Sequence, residues 1–374
     1  MRAAIPTVRA IDAAEWDRCC PGEAEGHAYC AVCEEAPPSA FKLFAVAVFD
    51  GAALVAAAPV FQLDYDLATS LQGAPRRIAD VFSRWLRLSA VSLGSPLAER
   101  CHLCFAPELD GAGRAAALAA MLAALGDHAR EKRIGLVAVK DLAEADNAEF
   151  RLRALAGFTH VQSLPVAVLD LAGRTEASYL AALSASTRKD LRRKLKKSTV
   201  RVERQTSIAG IEDRIAALFE ATRSSSASDY GAFEELPANY FPRIMQALGP
   251  RAFLMLYWVG EELAAFNLML RDDTRLIDKF WGMDRDLARA HDLYFVSWMA
   301  NVRFCIAEGI PLLQTGQTAY AAKVRLGSRL VRSHIWFRHR NPLLHFVLRQ
   351  VARFIAFDRM DPDLKALAAR RGEA

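Results

Sequence analysis

The sequence predicts an α/β protein of two tandem domains, each a mixed, mostly antiparallel central sheet flanked by helices. Three observations carry this reading. One order of elements occurs twice along the chain: hairpin, long helix, buried strand, short helix ended by a glycine, closing strand. The glycines punctuating the two copies are similarly spaced, 22 residues from Gly135 to Gly157 and 18 from Gly309 to Gly327. Finally, 374 residues at 53% hydrophobic and 24% charged are enough for two domains that each bury a core. The expected boundaries are a first domain over 1–170, a second over 171–341 and a helical tail over 342–374.

In the first copy, Val8–Asp17 reads as a leading strand and turn, with Trp16 as an apolar anchor. Glu23–Ala36 reads as a helix ended by Pro37 and Pro38. Phe44–Phe49 and Ala52–Phe61 flank Asp50-Gly51, a strong hairpin signal. Regular patterning is weakest between Asp64 and Pro107, where Ile78, Val81, Phe82 and Trp85 give Ile78–Leu88 a helical spacing and Ser92–Leu97 reads as a loop. Gly113–Lys132 predicts the long helix and Ile134–Lys140 the buried strand. Glu149–Ala156 is the short helix stopping at Gly157, and Val161–Leu171 the closing strand.

Between the copies, Thr175 is placed to cap a helix through Leu183, and Ser184–Ser186 breaks it. Thr187, with Asp190 three residues on, then opens a helix over 187–198. Seven of the ten residues from Arg188 to Lys197 are basic and one is acidic, with Leu191 and Leu195 as a narrow apolar stripe. Such a concentration repels itself, which a solvated face avoids by mixing signs, so a polyanion is the expected ligand: a phosphate-bearing donor such as coenzyme A, a nucleotide-linked acceptor, transfer RNA or an anionic membrane surface. Arg188, Arg192 and Arg193 could clamp phosphate oxygens while the lysines act as point charges. A plain solvated face is the alternative.

Val200–Gln205 predicts a strand, Ile211–Thr222 an amphipathic helix, Ser224–Gly231 a polar loop and Tyr240–Leu248 a helix. The second copy follows. Phe253–Val259 and Leu263–Leu270 form a hairpin, Leu276–Trp281 continues it, and Leu287–Glu308 is one long helix stopping at Gly309. Ile310–Leu313 is the buried strand, Gln314–Thr318 a polar turn opening a short helix ended by Gly327, and Val331–Arg338 the closing strand. Asn341 caps a last helix, Pro342–Phe357, expected to pack on the second domain, with a membrane surface as the alternative.

The seven cysteines include Cys30-x-x-Cys33 and Cys101-x-x-Cys104. The gap between these pairs is far longer than zinc-site spacing, so buried reduced thiols are expected and no metal. Met1–Trp16 carries Arg2, Arg9 and Asp12 and no apolar leader core, which together with the odd cysteine count points to the cytoplasm. Apolar runs stay below the roughly 18 residues of a membrane span. Neither a G-x-S-x-G elbow nor an H-E-x-x-H helix is present, which removes hydrolase and zinc-protease readings.

Four stretches resemble the GNAT-fold acyltransferases of the FemAB-like superfamily, which carry tandem GNAT domains. They are Trp16-Asp17 with the hairpin ending at Ala56–Val60; Ser186–Lys194; the hairpin ended by Gly282; and Gly316-x-x-x-Tyr320-x-x-Lys323-x-x-x-Gly327. The resemblance implies transfer of an acyl or aminoacyl group to an amine or hydroxyl, as on cell-envelope or polysaccharide precursors. It implies an acyl-CoA donor such as acetyl-CoA, or aminoacyl-tRNA in a Fem-type peptidyltransferase. A non-catalytic binder of polyanions or envelope precursors is the reading from outside enzymes. One departure stands out: neither copy has the Arg/Gln-x-x-Gly-x-Gly/Ala pyrophosphate loop of ordinary GNAT enzymes.

Acyl transfer requires a deprotonated nucleophile, donors to a developing oxyanion and a proton for the leaving group. The second copy offers Lys323 and Tyr320 as catalytic candidates, three apart on one helix face, with Gln317 in the preceding turn grouped with Arg188, Lys189, Arg192 and Arg193 for the donor. Asp278, Lys279, Asp284 and His291 are further polar candidates, each with a plain surface or packing role as its alternative. The first copy has Arg151 and Arg153 in its short helix but no Gly-x-x-x-Tyr-x-x-Lys run, and is expected to scaffold or bind the acceptor.

Overall fold

The computed structural model describes residues 1–66, 87–224, 233, 235–237, 239–352 and 361–371. The expected helix positions Ile78, Val81, Phe82 and Trp85, and nearly all of the Ser224–Gly231 loop, lie outside these. The chain divides into two compact units: Met1–Pro165 with Tyr230–Ala238 and Arg332–Ala374, and Val166–Asp229 with Asn239–Val331. Strands and helices are numbered along the chain.

The first unit holds β1 (Arg2–Ala4), β2 (Phe41–Asp50), β3 (Ala53–Asp66), β4 (Arg87–Leu93), β5 (Cys104–Phe105), β6 (Leu136–Ala143), β7 (Thr159–Gln162) and β15 (Ser333–His339). They run in the order β1-β2-β3-β4-β6-β15-β7, with β5 on β3. Every pair is antiparallel except β4 with β6. Its helices are α1 (Ala13–Cys19), α2 (His27–Glu35), α3 (Gly111–Glu131), α4 (Glu144–Phe150), α12 (Pro342–Ala352) and α13 (Pro362–Arg371). Asp110 caps α3 by accepting from Gly113 N at 2.7 Å, and Leu118, Met121 and Leu125 enter the core with Val46, Val60 and Val139. The expected leading strand is instead a 3₁₀ turn and α1, because Asp12 caps a helix there by accepting from Glu15 N at 3.0 Å. The short helix begins at Glu144 rather than Glu149, and 151–157 are turn.

The second unit holds β8 (Val166–Asp170), β9 (Arg201–Gln205), β10 (Ala252–Val259), β11 (Glu262–Arg271), β12 (Arg275–Met283), β13 (Leu312–Gln314) and β14 (Arg329–Val331), in the order β14-β8-β13-β12-β11-β10-β9. Only β12 and β13 are parallel. Its helices are α5 (Glu176–Ala182), α6 (Ala185–Lys197), α7 (Glu212–Ser224), α8 (Tyr240–Leu248), α9 (Arg285–Ala290), α10 (Leu293–Ala307) and α11 (Tyr320–Arg325). Helices α5, α6 and α10 pack Tyr179, Leu191, Val296 and Trp298 onto Phe253, Met255 and Met269 of the sheet. α7 crosses β12 so closely that a Cβ at Gly282 would lie 2.9 Å from Phe219 N and 3.0 Å from Leu218 C, so only glycine fits there.

The closing strands depart from the expected layout. Val161–Leu171 breaks at Pro165, which has no N–H to continue a ladder. β7 stays in the first sheet, while β8 joins β13 and β14 in the second. Val331–Arg338 likewise divides at Arg332, and β15 pairs with β6 and β7 in the first sheet. The divisions therefore fall at 165/166 and 331/332, and the tail expected as a separate piece from 342 groups with the first unit.

Three local readings also change. The single helix over Leu287–Glu308 is two, broken where Asp292 takes φ 52°. The basic helix starts at Ala185, not Thr187, because Ser184 is the extended residue whose Oγ accepts from Thr187 N at 3.2 Å. Cys20 and Cys104 form a disulfide, with Cα atoms 4.9 Å apart although the two lie 84 positions apart in sequence. Fully reduced cysteines, and the argument drawn from them for a reducing compartment, are thereby corrected. Cys19, Cys30, Cys33, Cys101 and Cys305 lie outside the disulfide and are buried, as small apolar side chains.

Candidate functional site

The polar residues of interest in the second unit gather where two parallel strands part. β12 and β13 pair only from Arg275 with Leu312 to Ile277 with Gln314, after which β12 runs on to Met283 and β13 ends. Beyond Ile277 the outer edge of β12 has no strand partner among the described residues. A buried polar chain fixes the fork: Asp272 Oδ2 accepts from Arg275 Nε at 2.7 Å, and Arg275 Nη1 donates to Gln314 Oε1 at 3.2 Å. Beyond Gln314, Thr315 N donates to Ala167 O at 2.9 Å, and Ala167 N to Gly316 O at 3.2 Å.

The chain then takes φ 153° at Thr318 and φ 48° at Ala319 before α11. Such positions cost about 1–3 kcal/mol each for residues with a Cβ, and persist only where surroundings over-determine them. They deliver Tyr320, fully buried, and Lys323, 7% exposed, on the same side of α11. The far end of α11 is held by Tyr179, whose hydroxyl donates to Leu326 O at 2.9 Å and accepts from Trp298 Nε1 at 2.8 Å. Burial lifts the Tyr179 phenol to a pKa of about 12, so it stays a neutral donor.

A second polar group lies on the first β12 residue past the fork. Asp278 accepts from Asn267 Nδ2 at 2.7 Å and from Asn301 Nδ2 at 3.2 Å. Tyr257 Oη, Asn267 Oδ1 and Asn301 Oδ1 are buried without hydrogen-bond partners among the described residues. Burial first, and then the nearby Asp278 carboxylate, push the Tyr257 phenol well above its ordinary range. Orphaned polar atoms in an otherwise apolar core are the usual mark of a ligand or water position. Asn267, Asn301 and Tyr257 were missed from sequence; the available signal was a lone Asn inside the apolar run Leu263–Leu270.

The basic helix sorts into two classes. Arg188 Nη1 donates to Leu183 O at 3.1 Å, Ala181 O at 3.1 Å and Leu180 O at 3.4 Å, closing the end of α5. In this structure its guanidinium is engaged in holding the fold. Lys194 lies 2.8 Å from Asp292 and 3.6 Å above the Phe295 ring. Arg193 and Arg325 donate to Asp190 at 2.8 Å and 2.7 Å. These cations, the Arg193 hydrogen bond foremost, hold the Asp190 carboxyl below its ordinary range. Lys189, Arg192, Lys196 and Lys197 are exposed, with no acid in ion-pair range among the described residues. With Arg193 they line one side of α6, Lys189 to Lys196 spanning about 10 Å at 1.5 Å per residue.

The structure thus brings Tyr320, Lys323 and half-buried Gln317 into one region with α6, through Arg325 and Asp190. Lys279 is buried, its ammonium 5.7 Å from the Phe280 ring centre. Asp284 is a helix cap, accepting from Asp286 N and Leu287 N at 3.1 Å each, and His291 terminates the same helix. Arg151 and Arg153 lie exposed in the turn after α4, in the first unit.

Residues 185–324 match the family described as acetyltransferase (GNAT) domain. Solved structures extend the likeness over both units. FemX is 12% identical, with 86% of this chain and 93% of that one covered at TM-score 0.56. The second unit carries a GNAT domain match, and the chain as a whole shares the fold of FemX. The C-terminal domain (DUF2156) of a putative lysylphosphatidylglycerol synthetase from Agrobacterium fabrum is 12% identical, covering 92% and 96% at TM-score 0.54. L-PGS from Bacillus licheniformis is 10% identical, covering 87% and 95% at TM-score 0.52. At such identities the likeness is one of fold. The sequence has no match among curated proteins. In GNAT terms, the matched segment runs from the basic helix α6 through the fork to α11.

Proposed function

We propose that the second unit is an acyltransferase domain that takes an acyl group from a phosphate-bearing thioester donor of the acyl-CoA type to an amine or hydroxyl. The observation that carries this reading is the fork: a strand edge parted from its parallel neighbour, orphaned polar atoms around Asp278 and a strained turn presenting Tyr320 and Lys323 belong to one sheet end. An extended amide-bearing arm can pair with such an edge by main-chain hydrogen bonds. The helix start after β12 does not fit a pyrophosphate, because Asp284 occupies its amides and adds negative charge. The donor's phosphates therefore fall to Lys189, Arg192, Arg193 and Lys196, with Gln317 at the turn.

The donor supplies an activated acyl carbonyl. The acceptor's nitrogen or oxygen attacks that carbon, the carbon–sulfur bond breaks, and the thiol leaves with a proton. Asp278 is the group to take the acceptor's proton, Tyr320 to donate towards the leaving sulfur, and Lys323 to hold the developing negative charge. An envelope or polysaccharide precursor is the acceptor class we favour.

A second reading, an aminoacyl-tRNA donor, is favoured by the length of the exposed cation row on α6, which suits successive backbone phosphates. FemX and lysylphosphatidylglycerol synthetase share the fold. Calorimetric titration with coenzyme A and with transfer RNA decides between them. Coenzyme A binding that Lys189→Gln/Arg192→Gln/Lys196→Gln weakens supports the first reading. Transfer RNA binding alone supports the second, and binding of neither removes both.

A further inference from the structure

Helix α12 is docked the wrong way round for an ordinary amphipathic helix. His345 fastens its inner side: the imidazole Nε2 lies 3.4 Å from Thr159 Oγ1, Nδ1 accepts from His339 N at 3.2 Å, and the ring meets Phe337 edge-on. Asn341 caps it, accepting from Leu343 N at 2.9 Å and Leu344 N at 3.3 Å. The opposite side carries Leu343 (76% exposed), Leu344, Phe346 (61%), Val347 (53%) and Val351. These are five of the eight large apolar side chains exposed among the described residues, so the patch is concentrated rather than scattered. An amphipathic helix normally buries that side.

The charge around the patch has one sign. From Arg332 to Phe357 the chain carries five arginines and no Asp or Glu. Arg338, Arg340 and Arg349 are exposed at the start and flank of α12. A symmetric second copy on this face would bring both sets of arginines together, which disfavours a dimer here. We propose that α12 is an interfacial anchor that lays Leu343, Phe346 and Val347 into an anionic lipid bilayer surface, with Arg338, Arg340 and Arg349 at the level of the headgroup phosphates. Apolar insertion and attraction to anionic lipid are the two components such helices combine. The anchor stands independently of the acyl-transfer reading.

The test is co-sedimentation of the full chain with phosphatidylcholine vesicles with and without 30% phosphatidylglycerol. Wild type should bind the anionic vesicles, and Leu343→Ser/Phe346→Ser should lower the partition at least tenfold at unchanged melting temperature, because both side chains are exposed. Phe346→Trp places a fluorophore in the patch, and its emission should shift to the blue only with anionic vesicles. Adding Lys189→Gln/Lys196→Gln, on α6, to that variant should leave the blue shift in place, which separates insertion from general electrostatic attraction. Equal partition of wild type and the Ser variant overturns the proposal. So does a dimer in sedimentation velocity that the Ser variant dissolves, or no binding to anionic vesicles by the wild type.

Discussion

Arg325 Nη2 lies 2.7 Å from Asp190 Oδ2, joining the short helix that carries Tyr320 and Lys323 to the basic helix α6. Asp190 is the only acid in α6, and three cations converge on it. Of the remaining cations of the helix, Arg188 serves the α5 carbonyls while Lys189, Arg192, Lys196 and Lys197 face solvent, so the fold uses some of these charges and leaves the others exposed.

That division predicts two different outcomes along α6. Lys189→Gln/Arg192→Gln/Lys196→Gln should keep its melting temperature and lose about 1–3 kcal/mol of anion binding, roughly 5- to 150-fold, with the loss shrinking as salt rises. Arg188→Gln should leave binding unchanged and lower the melting temperature by a few degrees, since about 1–2 kcal/mol of carbonyl capping is removed. Calorimetry and thermal melts on both variants check this, and a binding defect confined to Arg188→Gln would reverse the assignment.

Lys323→Met keeps the length of the stem and deletes the charge. If Lys323 meets the developing charge in the transition state, kcat/KM should fall ten- to a hundredfold, about 1.5–3 kcal/mol, with the melting temperature matched to wild type. Tyr320→Phe should keep the buried ring packing and lower kcat. Arg151→Met, exposed in the first unit, is the control. A larger loss at Arg151 than at Lys323 would move the chemistry out of the second unit.

The Cys20–Cys104 bond closes a long loop in the first unit. Under denaturing, non-reducing conditions a thiol reagent should count five of the seven cysteines. Reduction should destabilise the protein by about 4–5 kcal/mol in the loop-entropy view. Seven reactive thiols in the untreated protein would show the bond is absent.

His102 is buried between Glu23 and Glu25, with ring nitrogens 3.3 and 3.1 Å from their carboxylates. Burial works against the imidazolium, but the two carboxylates, Glu23 foremost, prevail and raise its pKa above 6.5. A raised pKa contributes stability that is complete below about pH 6.5 and drains as pH climbs through the folded value. Thermal melts from pH 6 to 9 should therefore fall with pH more steeply for wild type than for His102→Gln. That variant should itself lose about 3–5 kcal/mol at pH 6, because the cation between two largely buried acids is gone. Parallel pH profiles would remove His102 from the account.

Much of this was legible locally. Asp50-Gly51 announced its hairpin, Thr175 and Asn341 the starts of their helices, and Gly327, at φ 97°, the stop after α11. The concentration of charge on α6 was plain, but not which cations the fold would use. Arg188 serves carbonyls five to eight residues back, and Lys194 serves Asp292 nearly a hundred residues on. No periodicity encodes either contact. Asp278 was visible as a polar residue in a strand, whereas its company of Asn267, Asn301 and Tyr257 comes from three other elements.

By itself, the sequence determined the type of nearly every element and the repetition of one α/β unit. These follow from caps, turns and side-chain period, which act over a few residues. Tertiary structure alone decided that β8 closes the second sheet and β15 the first, that Cys20 finds Cys104, and that α12 turns its apolar side outward. Strands β8 and β15 are short, so nothing local tells either which sheet to join. That choice is made by the ladder hydrogen bonds and burial available at each edge once the rest of the sheet has formed.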